Sequence, residues 1–256
     1  MPVNAKRHVV IHPDLPSTAA AIAARLITAI IDAQAARGEA SVVLTGGTLG
    51  IASLAQVAAS PALSAVDWSR VNIYWGDERF VESNSADRNA VQAEVLLSVL
   101  DGHGLDRGRV HVMGSTDDFG TPEEAAVAYA NVLAEEASNE GTPGELPIFD
   151  VLMLGMGPDS HVASLFPDHV GAATTGAQVI GVHASPKPPP LRVSLSFEAI
   201  NSARAVWLVV AGADKAPAAG VALGQTPVTR ERVPASGVSG TTGTWWLLDA
   251  AAAALI

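Results

Sequence analysis

Cysteine is absent from this chain of 256 residues. Its absence excludes disulfide bonds, thiolate zinc sites and cysteine nucleophiles. Cations are scarce as well, because 15 Lys and Arg residues stand against 26 Asp and Glu residues, for a formal net charge of −11. An acidic chain repels nucleic acid and anionic membrane surfaces, so the composition predicts no nucleic-acid partner and no membrane partner. A small anionic ligand would need a local group of cations.

Long apolar runs are also missing. Before Pro13, only Val9, Val10 and Ile11 are apolar in succession, which is too few for the hydrophobic region of a signal peptide. No later run reaches membrane-spanning length, so the sequence predicts a cytoplasmic protein. Hydrophobic residues make up 48% of the chain, and neither a repeat nor a long polar linker divides it. We therefore expect residues 1–256 to form a single domain, as a monomer or a small homo-oligomer.

Apolar residues recur with two different periods along the chain. Helical spacing, as in Ile22, Leu26 and Ile30, alternates with short apolar runs such as Phe149 to Leu154. We predict helices at 17–37, 48–59, 87–100, 122–139 and 214–223, and an Ala-rich helix at the end of the chain. We predict strands at 41–44, 71–75, 109–112, 149–154, 179–182, 192–195, 205–210 and 245–248, and a loop of low order at 226–244. The alternation indicates an α/β fold with a mostly parallel sheet.

Ligands of open α/β sheets bind beyond the carboxyl ends of the strands. The first polar segment at such a place is Thr45-Gly46-Gly47-Thr48, between a strand and a helix. Its glycines let the backbone approach a ligand, and amides at a helix start attract phosphate. A tight connection with no ligand explains the same residues equally well. The segment is neither a P-loop nor a complete dinucleotide fingerprint.

The second segment, Gly76-Asp77-Glu78-Arg79, directly follows a predicted strand. Charged residues beside an apolar strand are costly unless they are paired or face a site. Arg79 is suited to a bidentate phosphate contact, although a surface Asp–Arg pair is an equal alternative. Asp87-Arg88-Asn89 follows closely, and we expect it to form one rim of the binding site together with Gly76-Asp77-Glu78-Arg79.

The third segment runs from Leu154 to Pro167 and delivers Asp159 and His161 together after a buried strand. Imidazole titrates near neutral pH, so it can take a proton from water and return it to a leaving alkoxide. A nearby carboxylate can orient the ring. A loop histidine that bonds its own backbone is the alternative, but the strand-end position beside an Asp favours a catalytic role.

The fourth group comprises Lys187 in a proline-rich run, Arg192 at the start of a strand and Lys215 near a helix start. Lys187 and Lys215 are two of only three lysines, so their positions suggest anion binding, with solvated surface roles as the alternative. The other six histidines lack metal-binding spacing, and no HExxH or similar signature is present. The sequence therefore predicts no metal site.

Gly155-x-Gly-x-Asp-x-His161-x-Ala-Ser-Leu-Phe-Pro167 resembles the signature of the 6-phosphogluconolactonases. Further matches follow in family order over nearly the whole chain: Thr45-Gly46-Gly47-Thr48, Trp75-Gly76-Asp77-Glu78-Arg79, the Pro-Lys-Pro-Pro-Pro run before Arg192, Gly212-x-x-Lys215 and Trp245-Trp246-Leu-Leu-Asp249. The resemblance implies a three-layer α/β/α sandwich like that of the glucosamine-6-phosphate deaminases, with no metal or organic cofactor.

The resemblance also implies hydrolysis of 6-phospho-D-glucono-1,5-lactone to 6-phosphogluconate, with His161 as general base. Asp159 is expected to orient the imidazole. The expected substrate- and phosphate-binding residues are Gly46, Gly47, Thr48, Asp77, Arg79, Arg88, Lys187, Arg192 and Lys215.

Two positions depart from the family pattern. Ser160 stands where the family usually has Gly, and it would be mildly strained if the position needs a positive φ. Asp87-Arg88-Asn89 has one residue fewer than the usual Asp-x-Ser-Asn, with Arg in place of Ser. Arg88 could add a phosphate contact.

Two alternative functions fit parts of the sequence. The amino-sugar-phosphate isomerases and deaminases share the motif up to the histidine and then carry Ala-Phe-Asn-Glu-Pro, whose Glu is catalytic. This chain has Ala163-Ser164-Leu165-Phe166-Pro167, so that chemistry would lack a needed group. A non-catalytic sugar-phosphate sensor usually adds a DNA-binding helical segment, for which this chain has no spare length or basic patch.

Overall fold

The computed structural model describes residues 6–142, 144 and 146–256, so residues 1–5 of the predicted domain lie outside the described part. The strands are β1 (Arg7–His12), β2 (Ala40–Leu44), β3 (Val71–Trp75), β4 (Asp77–Arg79), β5 (Val151–Gly155), β6 (Val179–Val182), β7 (Arg192–Leu195), β8 (Ala205–Val210) and β9 (Gly243–Asp249). The α-helices are α1 (Leu15–Arg37), α2 (Gly47–Ala58), α3 (Asn89–Gln92), α4 (Glu94–Asp101), α5 (Pro122–Asn139), α6 (Val170–Ala173), α7 (Phe197–Ser202) and α8 (Ala216–Leu223).

Six of these strands form a central sheet in the order β1-β9-β8-β5-β2-β3, with parallel pairing throughout. One face packs on α1, α2 and α4 through a core cluster that includes Ile22, Leu54 and Leu97. The other face packs on α5, α7 and α8 through a cluster that includes Leu133 and Ala219. A sheet covered on both faces needs strands that are apolar throughout, which explains the unbroken apolar run of β5. The predicted three-layer sandwich is confirmed.

Local sequence signals set the ends of the longest helices. At the start of α1, the Asp14 side chain accepts a hydrogen bond of 2.8 Å from Ser17 N, and at its end Gly38 adopts a left-handed φ of 85°. At the start of α5, Thr121 and Glu124 form a capping box.

A second sheet of three antiparallel strands, β4-β7-β6, lies beyond the parallel one. The sequence predicts β7 and β6 as strands but treats Asp77–Arg79 only as a charged segment after a strand. These three charged residues form a strand because they pair with β7, which lies more than 100 residues later in the chain. The pairing sets Arg79 directly opposite Arg192.

The predicted strand at 109–112 is wrong. The segment begins with a 3-10 helix, Arg107–Arg109, which is capped by the Asp106 side chain. Only one bridge, between Val110 and Ile73, connects the segment to the sheet.

The predicted helix at 87–100 is two helices, α3 and α4, and it begins two residues later than expected. Arg88 has an extended ψ of 135°. The Glu78 carboxylate accepts hydrogen bonds from the backbone N–H groups of Asn89 (2.7 Å) and Ala90 (2.9 Å), which fixes the start of α3.

Three further segments differ from the prediction. The Ala-rich C-terminal segment forms turns instead of a helix, because the Asp249 carboxylate binds the N–H groups of Ala252 and Gly212. The predicted loop at 226–244 contains the 3-10 helix Pro234–Gly237. Strand β1 is absent from the prediction because it is an edge strand, paired only with β9, and lacks a continuous buried run.

Within the described residues, α1 is the one helix that is long and apolar enough to span a membrane by length and composition. Arg25 and Asp32 interrupt it, so the sequence shows no uninterrupted apolar run there. Its buried residues, among them Ile22 and Ile30, pack in the core against the sheet. A core helix meets the same length and composition criteria, and packing explains its apolar face.

Candidate active site

A cleft of about 280 Å³ opens where β2 and β5 end. The residues that line it are Thr45, Gly46, Gly47, Asp77, Arg79, Asn89, Gly155, Met156, Gly157, His161, Ala163, Lys187, Pro188, Arg192 and Lys215. Eight predicted site residues are among them: Gly46, Gly47, Asp77, Arg79, His161, Lys187, Arg192 and Lys215. Segments that are far apart in sequence therefore converge where the topology predicts a ligand. Two larger grooves, of about 550 Å³ each, include only Arg88 of the predicted residues.

A tight turn after β5 carries His161 to the cleft, and Asp159 contacts His161 from outside the cleft lining. Gly157 N donates to the His161 carbonyl at 3.0 Å, and Ser160 N donates to the Gly157 carbonyl at 3.0 Å. A Cβ on Gly157 would lie 2.1 Å from His161 Nδ1 and 2.3 Å from Asp159 Oδ1. Glycine at 157 is therefore required for this arrangement of the two side chains.

Asp159 fixes the tautomer of His161. Its Oδ1 lies 2.6 Å from His161 Nδ1, and a carboxylate accepts but does not donate hydrogen bonds. Burial alone would raise the pKa of Asp159. The hydrogen bond from His161, the charge of His161 and the charge of Lys187 outweigh burial and hold that pKa well below its usual range. Nδ1 therefore carries the proton, and Nε2 keeps a lone pair.

The His161 ring is held on its face as well as at Nδ1. It packs against Phe166 with ring centroids 4.6 Å apart, and the Arg192 guanidinium lies 5.9 Å from the Phe166 centroid. The side chain is 16% exposed. An oriented, partly exposed imidazole with a free Nε2 can act as a general base.

Cations gather in the same cleft, and two of them, Arg79 and Arg192, form one wall by pairing across β4 and β7. Arg192 is buried, and its Nε and Nη2 donate to the carbonyls of Pro189, Lys187 and Pro188 at 3.0 to 3.1 Å. Burial lowers the pKa of Arg192, Asp77 raises it and Arg79 lowers it. Two arginines paired across an antiparallel sheet repel each other, so this wall favours an anion between them.

Backbone groups add to the same wall. Gly46 caps α2 without a side-chain hydrogen bond, and Gly47, the first helical residue, has a left-handed φ of 80°. The first amides of α2 therefore need partners from outside the helix, which suits a phosphate. Thr48 is exposed and lies outside the cleft lining. Lys215 lines the cleft and pairs with Asp214 at 2.8 Å.

Asp77 links Arg192 to the segment that follows His161. Its Oδ2 accepts a hydrogen bond of 2.6 Å from Ser164 Oγ and lies 4.0 Å from Arg192 Nη1. Asn89 Nδ2 donates to the Asp77 carbonyl at 2.7 Å. The sequence places the segment of Asn89 in the rim but does not predict that Asn89 itself lines the cleft. Asn89 packs closely against Gly46, because a Cβ on Gly46 would lie 2.0 Å from Asn89 Oδ1.

A family model for glucosamine-6-phosphate isomerases/6-phosphogluconolactonase matches residues 13–246. The 6-phosphogluconolactonase of Streptomyces coelicolor is 53% identical over 247 residues, which cover 96% of this chain and 93% of that protein. The chain belongs to this family. The 6-phosphogluconolactonase of Mycobacterium tuberculosis is 44% identical over 249 residues, covering 95% of this chain and 96% of the relative. The structure of the Trypanosoma brucei 6-phosphogluconolactonase has a TM-score of 0.79 at 25% identity and covers 98% of this chain and 99% of that one.

The two departures from the 6-phosphogluconolactonase pattern have different structural consequences. Ser160 has a φ of 70°, so this position does require the left-handed region that favours glycine. Arg88 is buried outside the cleft lining, and its guanidinium donates to the carbonyls of Met113 (2.5 Å), Gly114 (3.3 Å) and Arg79 (3.5 Å). The structure therefore does not bring Arg88 to the predicted phosphate wall.

Glu78 is the buried partner of Arg88 in this family member. Its carboxylate lies 3.8 Å from Arg88 Nε and accepts a hydrogen bond of 2.8 Å from Arg79 N. Burial raises the pKa of Glu78, while hydrogen bonds from backbone amides and the charge of Arg88 oppose that rise. The Arg79 side chain reaches the Asp87 carbonyl through Nη1. Its Nε is buried and has no hydrogen-bond partner among the described residues.

The described side chains can also be compared for metal-binding arrangements. No group of three or more His, Asp or Glu residues within residues 6–142, 144 and 146–256 is arranged to hold an ion.

Proposed function

We propose that this chain hydrolyses 6-phospho-D-glucono-1,5-lactone to 6-phosphogluconate, the reaction for which its S. coelicolor and M. tuberculosis relatives are named. The observation that carries the proposal is an oriented imidazole with a free Nε2 in the same cleft as two facing arginines. A phosphorylated lactone needs both, a base for water and a cationic wall for its phosphate. The proposal takes residues 1–256 as one domain, which agrees with a family match over 13–246.

The reaction starts at His161. Nε2 takes a proton from a water molecule as the water oxygen attacks C1, and the carbonyl π electrons move to oxygen to give a tetrahedral oxyanion. When that oxyanion collapses, the bond between C1 and the ring oxygen breaks. His161 returns its proton to the ring oxygen, which becomes a hydroxyl, and the new carboxylic acid ionises. Asp159 holds the ring in the required tautomer throughout.

We assign substrate binding to the cationic and backbone groups of the cleft. Arg79, Arg192, Lys215 and the amides at Gly46 and Gly47 would hold the phosphate and hydroxyls. Holding a remote phosphate fixes the position of the ester, so that binding energy lowers the barrier at C1. The segment Ala163-Ser164-Leu165-Phe166-Pro167 supplies no carboxylate, which disfavours the deaminase alternative.

The test generates the lactone in situ and follows 6-phosphogluconate formation, with spontaneous hydrolysis subtracted. We expect His161→Ala to lose about 10²- to 10⁴-fold in kcat, the usual contribution of a general base, while 6-phosphogluconate still binds in calorimetry. The control is His103→Ala, because His103 is exposed and outside the cleft lining. Near-normal turnover by His161→Ala would refute the base assignment. A folded wild type that binds product without accelerating hydrolysis would be a sensor.

A further inference from the structure

Lys187 contacts the Asp159–His161 pair directly. Its Nζ lies 3.4 Å from Asp159 Oδ1 and 3.3 Å from His161 Nδ1. The other cleft cations have different partners, since Arg192 and Arg79 donate to backbone carbonyls and Lys215 pairs with Asp214. Lys187 is thus placed to act on the base, whereas the sequence groups it with the phosphate ligands.

The contact with His161 is not a hydrogen bond. Asp159 Oδ1 is only 2.6 Å from Nδ1 and accepts its proton, so Nδ1 has no lone pair left for Lys187. An ammonium group next to a neutral ring N–H is tolerated. Once Nε2 is also protonated, the same 3.3 Å separates two cations, and like charges at that distance repel.

Asp159 has the opposite effect, because its carboxylate attracts the imidazolium form. A base that keeps its proton in the resting enzyme is inactive, so a cation beside the pair favours the active form of the base. We infer that Lys187 keeps His161 neutral and able to accept a proton, because the lysine charge opposes the stabilisation of the imidazolium form by Asp159. It is in this sense a positioning residue, and the inference rests on the proposed role of His161 as base.

The backbone around Lys187 is fixed, which keeps the ammonium in place. Ser185 Oγ accepts from Lys187 N at 3.3 Å and donates to the Lys187 carbonyl at 2.9 Å. The same carbonyl accepts from Arg192 Nη2 at 3.1 Å. Only the side chain, 39% exposed, is free to follow the charge state of the pair.

Other charges around the ring come from three elements. Asp159 lies on the same turn, Lys187 on the segment before β7, and Arg192 on β7 behind the Phe166 ring. The Asp214–Lys215 pair follows β8. The pKa of Asp214 is lowered by its hydrogen bond to Lys215 and, less strongly, by the charge of Lys187. Of these groups, Lys187 is the cation within 3.5 Å of the imidazole.

The test is the pH dependence of lactone hydrolysis by Lys187→Met. Without the lysine cation, His161 should keep its proton to higher pH. We therefore expect kcat/KM to fall about tenfold at pH 6 but less than about threefold at pH 8, because a shift of the acid limb of the pH profile by about one pH unit changes kcat/KM about tenfold on that limb. Lys187→Arg, which keeps the charge, should restore most of the acid limb. Lys187→Gln is a second neutral variant, and Lys6→Met is the matched control because Lys6 is exposed and outside the cleft lining.

An NMR titration of the His161 ring gives a readout that does not depend on turnover. We expect its midpoint to move up by about one pH unit in Lys187→Met. A loss of equal size at all pH values with a raised KM would overturn the inference and make Lys187 a phosphate ligand. An unmoved midpoint would overturn it too. If the wild type does not hydrolyse the lactone at all, the proposed function fails, while the titration still decides whether Lys187 acts on His161.

Discussion

Two charged segments follow strands of the same sheet, and they use their charges differently. In the turn after β5, Asp159 and His161 contact each other and remain partly exposed at the cleft. In the rim after β3, Glu78 and Arg88 are 1% and 3% exposed. Their partners are mainly backbone groups, since Glu78 accepts from three N–H groups and Arg88 donates to three carbonyls.

The difference shows that a charge at a strand end does not by itself indicate chemistry. A carboxylate whose oxygens are occupied by backbone amides cannot orient an imidazole or bind a substrate. The rim acts indirectly, because Glu78 fixes the backbone of Arg79 and Asn89, which line the cleft. We propose that the turn after β5 acts on the substrate, whereas the rim positions residues that line the cleft.

The largest effect is expected for Asp159→Asn, which removes the chemistry of the turn but keeps its shape. The amide can donate to Nδ1, so the proton moves to Nε2 and the base loses its lone pair. We expect kcat to fall about 10²- to 10⁴-fold with little change in KM. Steady-state kinetics with the in situ lactone assay measure both, and unchanged kcat would show that Asp159 does not set the tautomer.

The same variant has a signature in stability. Because the pKa of Asp159 is lowered in the folded protein, its carboxylate stabilises the fold fully above the unfolded value of about 3.9 and loses this contribution as pH falls through the lower folded value. The contribution of the carboxylate to the difference in unfolding free energy between wild type and Asp159→Asn should therefore be complete above about pH 4 and shrink below it. Urea titrations at pH 7 and pH 3.5 measure it.

Arg88→Met tests the rim in the same way. It leaves the buried Glu78 without its charge partner and three carbonyls without their donor, so we expect a loss of about 3–5 kcal/mol in the free energy of unfolding. Arg70→Met is the matched control, because Arg70 pairs with Asp67 at 3.7 Å on the surface, where such pairs contribute about 0–1 kcal/mol. Normal stability with a raised KM would break the comparison, since Arg88 would then bind phosphate as the sequence suggests.

A smaller loss of activity than for Asp159→Asn is expected for Gly157→Ala. The added Cβ would lie 2.1 Å from His161 Nδ1, so the ring must shift, and a misplacement of about 1 Å costs on the order of 10²-fold in rate. Product binding should persist, because the phosphate wall is untouched. Gly102→Ala is the control, since its Cβ would have no neighbour closer than 3.4 Å. Equal activity of the two variants would show that the turn is not rigid.

The sequence predicts those parts of the molecule that local signals determine. The apolar runs of β2, β3 and β5 indicate buried parallel strands, and the rule that sites lie at strand ends then groups Gly46, His161 and most other cleft residues. The predicted catalytic and binding roles themselves stay predictions until the variants are measured.

What the sequence leaves open depends on distant partners. Asp77–Arg79 is a strand because β7 pairs with it, and nothing within the three residues indicates that pairing. Arg88 suits a phosphate by charge, yet the carbonyls of Met113 and Gly114 bind it. Asn89 reaches the cleft through its bond to Asp77. In each case a contact between remote segments decides what a local pattern cannot.

The smallest effect is expected for Ser160→Gly, whose free energy of unfolding measures the backbone strain at this position of the turn. A left-handed φ costs a non-glycine residue about 1–2 kcal/mol, whereas glycine adds about 0.5–1 kcal/mol of unfolded-state entropy. We therefore expect the free energy of unfolding to rise by less than about 1 kcal/mol, with kcat unchanged. Ser98→Gly, inside α4, should instead lower it by about 0.5–1 kcal/mol. If chemical denaturation shows equal destabilisation by both variants, the turn gains nothing from glycine, and Ser160 is accommodated without strain.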